Sequence, residues 1–294
     1  MSRAPGPPGA PEKSVHLVHH LEEVMGTVVT IDVYAHAAAP LVEITPLVHR
    51  ACLLLHQADD VFSTWKPDSS MSRLRRGEIT CAQAPPEVAE VLELCAAARD
   101  LSGGWFDPWA LPGGVDPTGF VKGWAAQRAL DALVSPLVNG AIVNAAGDIA
   151  GFGGPGGSRP FRFGIVDPAA PGDLICVVEP PAALATSGTY ERGAHLIDPR
   201  SGRPMARVAS ASVTGPDLGL ADALATAVAV AGGDGLGVVE AVDGFEAMTV
   251  DFDGSMHWTP GFPMAAIGEA APSAGGQGHD GSRSALPGSP GPNR

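Results

Sequence analysis

Tyrosine is nearly missing from this chain: two residues in 294, with all aromatics together at 5%. So small a supply of flat side chains argues against a surface that stacks single-stranded bases. Basic residues are also few. Eighteen Lys and Arg face 32 Asp and Glu, a net charge of −14. That balance repels phosphate backbones and anionic bilayers, so nucleic acid and membrane surfaces are not expected partners. The four cysteines, at 52, 81, 95 and 176, form no CxxC pair. They read as reduced thiols of a cytosolic protein rather than as a disulfide scaffold. No apolar run approaches the ~18 residues of a membrane span. The opening MSRAPGPPGAPEKS has no continuous apolar segment of the signal-peptide kind, and no Cys follows a short apolar stretch as in a lipid anchor. The expectation from these absences is a cytoplasmic protein.

Glycine (38) and proline (28) are plentiful, which predicts many loops. Residues 1–13 and 269–294 are Pro/Gly/Ser/Ala-rich with few large apolar side chains. They read as disordered tails, because they offer too little apolar surface to offset ordering entropy. The stretch 14–268 between them, without repeat or internal linker, reads as one domain. Thr27–Tyr34 (TVVTIDVY) is β-branched and predicts a strand. Apolar residues at helical spacing predict helices over 41–62 and 86–101, with a third at 122–134. Short strands are expected near 140–144, 161–166, 174–179 and 208–214, helices at about 219–232 and 235–242, and a closing hairpin near 245–258. Helices interleave with strands, but most strand connections are short turns. The fold class is therefore α+β, a single domain with a mixed, largely antiparallel sheet and packed helices.

Several polar clusters interrupt this pattern. HLVHH (residues 16–20) raises the thought of a metal site, but no Cys or acid cluster completes it nearby in sequence, and a solvated strand or edge is the better reading. STWKPDS (63–69) places Trp65 at the lip of a Pro/Asp turn, where it either stacks on a planar ligand or packs ordinarily. Gly103-Gly104-Trp105-Phe106-Asp107-Pro108 is a second such loop, with Phe106 expected to pack inward and Asp107 held extended before Pro108. In Asp116-Pro117-Thr118-Gly119-Phe120-Val121-Lys122-Gly123 an acid, a glycine and a lysine lead into a helix, an arrangement that suits a phosphate and its metal or a plain Asp-capped helix. NAAGD (144–148) reads most simply as a tight turn after a strand. The stretch ATSGTYER followed by HLIDPRSGRP (185–204) is the densest in polar groups, and His195 in it is not explained by turn chemistry. Asp222 and Thr226, four apart on an expected helix, place two hard oxygens on one face, taken here as an exposed one.

In this order the motifs resemble the ApbE family of FAD:protein FMN transferases. The match runs from Met25-Gly26-Thr27 through STWKPDS, Phe106-Asp107-Pro108, Asp116…Lys122-Gly123, NAAGD and ATSGTYERG…HLIDPRSGRP to ADALATA, and covers most of 25–232. The resemblance implies an α+β fold with an FAD cleft, and Mg²⁺-dependent transfer of FMN from FAD to a Thr or Ser hydroxyl of an acceptor protein, releasing AMP. It implies FAD contacts at Met25, Trp65, Trp105, Phe106, Asp107, Asp116 and Lys122. It implies metal ligation by Gly119 (through its carbonyl), Asp222 and Thr226, and a catalytic role for His195. The family usually reads Asp-Leu-Gly-Gly-x-Ala-Lys-Gly where this chain has Pro117, Thr118 and Val121. Two alternatives remain at this stage: an FAD pyrophosphatase giving FMN and AMP, and a non-catalytic FAD-binding protein.

Overall fold

A computed structural model describes residues 15–156, 160–170, 172–189 and 196–265. The chain opens with a hairpin of β1 (Val15–Val24) and β2 (Thr27–His36). Met25 and Gly26 join the two strands with φ of 55° and 70°, the double positive-φ turn that matches strand twist. Helices α1 (Leu41–Phe62), α2 (Ser70–Arg75), α3 (Pro86–Leu101) and α4 (Thr118–Asp131) follow. Then come β3 (Val138–Ala145), β4 (Asp148–Gly153), β5 (Phe163–Val166), β6 (Leu174–Val178), β7 (Ala183–Gly188), β8 (Ile197–Asp198), β9 (Arg203–Pro204) and β10 (Ser210–Gly215). Helices α5 (Leu218–Ala231) and α6 (Gly233–Glu240) precede the final hairpin, β11 (Glu246–Val250) and β12 (Met256–Trp258).

Eight strands form the main sheet in the order β1-β2-β3-β4-β7-β10-β11-β12, and neighbours pair antiparallel. The expected largely antiparallel α+β fold is thus the observed one, and HLVHH lies on an edge strand. Alternation along the central strands explains the layering. In β7, Ala183 and Ala185 join the main core, where α5 packs, while Leu184 turns to a second core with Ile165, Val178, Met248 and Phe262 beneath the β5–β6 ribbon. Strands covered on both faces carry continuous apolar or small residues, which is the character of ALATSG and SASVTG.

Helix α5 is the element that builds the site. Asp217 caps it by accepting the Leu220 N–H at 2.7 Å. It is buried on nearly every side, against α4, α6, β7 and β10. Glycine permits the α4–α5 approach: a Cβ on Gly123 would stand 2.4 Å from the Leu218 carbonyl oxygen.

Candidate active site

A cleft of about 660 Å³ opens where the β1–β2 turn, the C-terminal end of α1, the loops after α1 and α3, the start of α4, the end of β7 and the helix α5 converge. Met25, Trp65, Trp105, Phe106, Asp107, Asp116, Gly119, Lys122, Asp222 and Thr226 all line it. Ten of the eleven site residues expected from sequence are therefore neighbours in space. The eleventh, His195, lies outside the described residues, and Leu196 and Ile197 after it line the cleft.

The walls are set by short polar turns. Ser63 Oγ accepts the N–H groups of Trp65 (3.3 Å) and Lys66 (3.2 Å), and its carbonyl accepts the hydroxyls of Ser69 (2.5 Å) and Ser72 (3.2 Å). This lock presents Trp65 to solvent at 93% exposure, which removes ordinary packing as the reason for that side chain. Lys66 beside it bridges Asp59 and Asp60 at 2.6 and 2.7 Å, and these hydrogen bonds raise its pKa above the usual lysine value.

Across the cleft, Ser102 Oγ accepts the Phe106 N–H at 3.1 Å, and Phe106 packs inward as expected. Trp105 is buried, with the Arg200 guanidinium 3.5 Å above its ring centroid and that of Arg207 at 5.1 Å. Asp107 Oδ1 caps the turn by accepting the Trp109 N–H at 2.9 Å.

Helix α4 starts at Thr118, one turn before the expected 122, because Asp116 Oδ1 accepts the Thr118 N–H and the Pro117 carbonyl accepts those of Phe120 and Val121. Neither Thr118 nor Gly119 has positive φ, so Thr118 sits at the start of the helix without backbone strain. Asp116 Oδ2 also pairs with Arg75 at 3.2 Å.

The floor is a polar seam between α4, α5 and the sheet. Asp222 is 4% exposed and accepts the Gly123 N–H on Oδ2 at 3.2 Å. This corrects the sequence-based placement on an exposed helix face: α5 is covered all round, and Asp222 faces the cleft from within the core. The Thr226 and Ser187 hydroxyls lie 3.3 Å apart. A Cβ on Gly119 would reach 3.6 Å from Thr226 Oγ1, so glycine leaves that space open beside the two hydroxyls. A carboxylate, two hydroxyls and a helix-start backbone form a hard-oxygen set, of the kind that suits Mg²⁺ over softer ions. The residues present fit such an ion.

Lys122 Nζ meets Asp148 Oδ2 at 2.5 Å, and the fully buried Asp148 takes the Thr186 N–H on Oδ1 at 3.1 Å. The turn reading of NAAGD is correct: Ala146 and Gly147, with φ of 53° and 95°, link β3 to β4. It misses that the last residue of that turn faces Lys122. Ser187, Arg75, Arg200 and Arg207 also contact cleft residues, which no spacing in the sequence indicates. Ser187 and Arg200 do sit inside the polar stretch 185–204, which was the available signal. Asp198 there closes the β8–β9 turn through the Arg200 N–H (2.9 Å) and the Ser201 hydroxyl (3.1 Å), as turn chemistry predicts.

The α+β fold is shared with the flavin transferase ApbE of Vibrio cholerae (TM-score 0.71, 22% identity, 84% of this chain and 97% of that one). The ApbE protein of Thermotoga maritima has the same fold (TM-score 0.72, 23% identity, 83% and 97%). The chain belongs to the ApbE family, whose model matches residues 25–113 and 110–249. A FAD:protein FMN transferase of Rhodobacter capsulatus is 38% identical over 156 residues, half of this chain and 30% of that protein's length.

Proposed function

We propose that this protein transfers the FMN moiety of FAD to a Thr or Ser hydroxyl of an acceptor protein and releases AMP. The observation that carries the reading is the convergence of ten motif residues, scattered from 25 to 226, on one cleft large enough for a dinucleotide's reacting half. Family membership and the curated relative support it.

The cleft's own charges say how an anionic substrate is accommodated. Four aspartates and two lysines line it, and both lysines already face carboxylates: Lys66 with Asp59 and Asp60, Lys122 with Asp148. Side chains alone therefore leave a pyrophosphate under-neutralised. Asp222, Thr226 and the Gly119 carbonyl would hold Mg²⁺, which when bound supplies charge neutralisation at the phosphates. Trp65 stacks on a ring of FAD at the rim, while Met25 and Phe106 shape the walls. Asp107 and Asp116 fix the two turns that face the substrate, and Trp105, braced by Arg200, backs one of them. Lys122 directs its ammonium toward the phosphates and Asp148 restrains it. His195 takes the proton from the acceptor hydroxyl, a general-base step worth roughly 10²–10⁴-fold.

The test is incubation of the purified protein with FAD, Mg²⁺ and a Thr-containing acceptor domain, following AMP and covalent flavin fluorescence together. Equal amounts of AMP and flavinylated acceptor are expected. AMP without covalent flavin identifies a pyrophosphatase instead, and binding without either product identifies a flavin-binding protein.

A further inference from the structure

Away from the cleft, strand β1 and helix α1 bring four ligand-type side chains together. His20 and Glu22 are two apart and share one face of β1. Cys52 and His56 are four apart on the face of α1 that meets it. Glu22 sits at the centre: one carboxylate oxygen lies 2.7 Å from His20 Nε2 and the other 2.7 Å from His56 Nε2. The ligand atoms of His20, Glu22 and Cys52 all lie within 4.8 Å of one another. The other histidines of HLVHH are engaged elsewhere, His16 with the Ala37 carbonyl and His19 with Asp32.

We propose that His20, Glu22, Cys52 and His56 bind a divalent transition-metal ion of the zinc type, at a site separate from the flavin cleft. Two imidazoles, a carboxylate and a thiolate are the donors zinc prefers. Bond lengths of about 2.0–2.3 Å put tetrahedral ligands roughly 3.3–3.8 Å apart, so His20, Glu22 and Cys52 would close in from within 4.8 Å, and His56, 2.7 Å from Glu22, would turn from that carboxylate to the ion. The thiol is buried and both imidazoles reach solvent, which provides an entry path beside an enclosed sulfur. A metal here would clamp the edge hairpin to α1. Met25 follows Glu22 by three residues, and Ala58 and Asp59 follow His56 closely; all three line the cleft. The ion would thus brace one cleft wall without touching substrate.

The experiment is a Co²⁺ titration of the full-length, tag-free, metal-stripped protein in excess Mg²⁺, read by absorption. Expected are a near-ultraviolet sulfur-to-cobalt charge-transfer band and intense d–d bands of four-coordinate cobalt, saturating at about one ion per chain and removed by Zn²⁺. Cys52→Ser should abolish the charge-transfer band, and His56→Ala should weaken Co²⁺ binding at least about tenfold. Binding without the charge-transfer band, or the same band in Cys52→Ser, overturns the proposal. If Cys52→Ser does not fold, His56→Ala decides, since His56 is solvent-exposed: an unchanged dissociation constant there overturns it as well. Neither readout depends on flavin transfer.

Discussion

Trp65→Ala separates binding from folding more sharply than any other change in the cleft. The side chain is 93% exposed, so truncating it removes almost no packing. The stability effect should fall within the roughly ±0.5 kcal/mol typical of surface substitutions. What it removes is an aromatic face at the rim of a cleft read as an FAD site. An aromatic–base stack is worth roughly 1–3 kcal/mol, which converts to a dissociation constant about 5- to 140-fold weaker. The surrounding turn is held by Ser63, Ser69 and Ser72 rather than by the indole, so the loop keeps its shape in the variant. The assay is FAD titration by flavin fluorescence without acceptor, alongside a thermal melt. Trp65→Phe should recover most of the affinity, because the ring face is restored. An unchanged dissociation constant with an unchanged melt refutes the stacking role. A large drop in melting temperature refutes the claim that the indole carries no packing.

Asp222→Asn keeps an acceptor for the Gly123 N–H but loses the charge proposed to ligate Mg²⁺; AMP formation should fall at least about 10²-fold, the equivalent of a few kcal/mol of metal stabilisation, with the far-ultraviolet dichroism unchanged. Gly123→Ala drives a Cβ to 2.4 Å from the Leu218 carbonyl and should cost about 1–3 kcal/mol as overpacking, read as a melting temperature lowered by several degrees. His195→Ala should retain FAD affinity and lose flavin transfer by at least about 10²-fold; transfer near the wild-type rate would send the search for the base elsewhere.

Much of the fold was legible because its signals are local. Helices α1 and α3 have the bounds that periodicity predicts, 41–62 and 86–101, since each buries a single stripe. Strands β4 (DIAGFG) and β7 (ALATSG) were not predicted. Their residues are small or mixed, with little β-branched content, and they are extended because they lie mid-sheet between β3 and β10. That is a tertiary reason with no local trace. The site shows the same division. Motif order picked out residues that share the cleft, but spacing alone could not say which face of α5 Asp222 occupies. The i,i+4 rule aligns Asp222 with Thr226 and is silent on what covers them. The metal-type cluster on β1 was set aside for the same cause: its cysteine is 32 residues beyond His20 in the chain, and only the packing of α1 on β1 brings it near.

The pairing of Lys122 with Asp148 bears on how the cleft divides its electrostatic task. A lysine facing an incoming pyrophosphate from open solvent contributes its full attraction. Lys122 instead meets a carboxylate at 2.5 Å that is itself buried and tied to the β7 backbone. Its charge is already engaged by Asp148, with which a phosphate in the proposed site would have to share it. Under the proposed function the pair would serve position more than attraction, holding the ammonium relative to the Thr186–Ser187 end of β7, where the Ser187 and Thr226 hydroxyls lie 3.3 Å apart. Removing Asp148 alone would leave a more mobile cation with stronger pull on phosphate, so affinity for FAD and the rate of transfer should move in opposite directions in Asp148→Asn. Binding and rate falling together would instead mean that Asp148 acts on the fold of the floor and not on the orientation of Lys122.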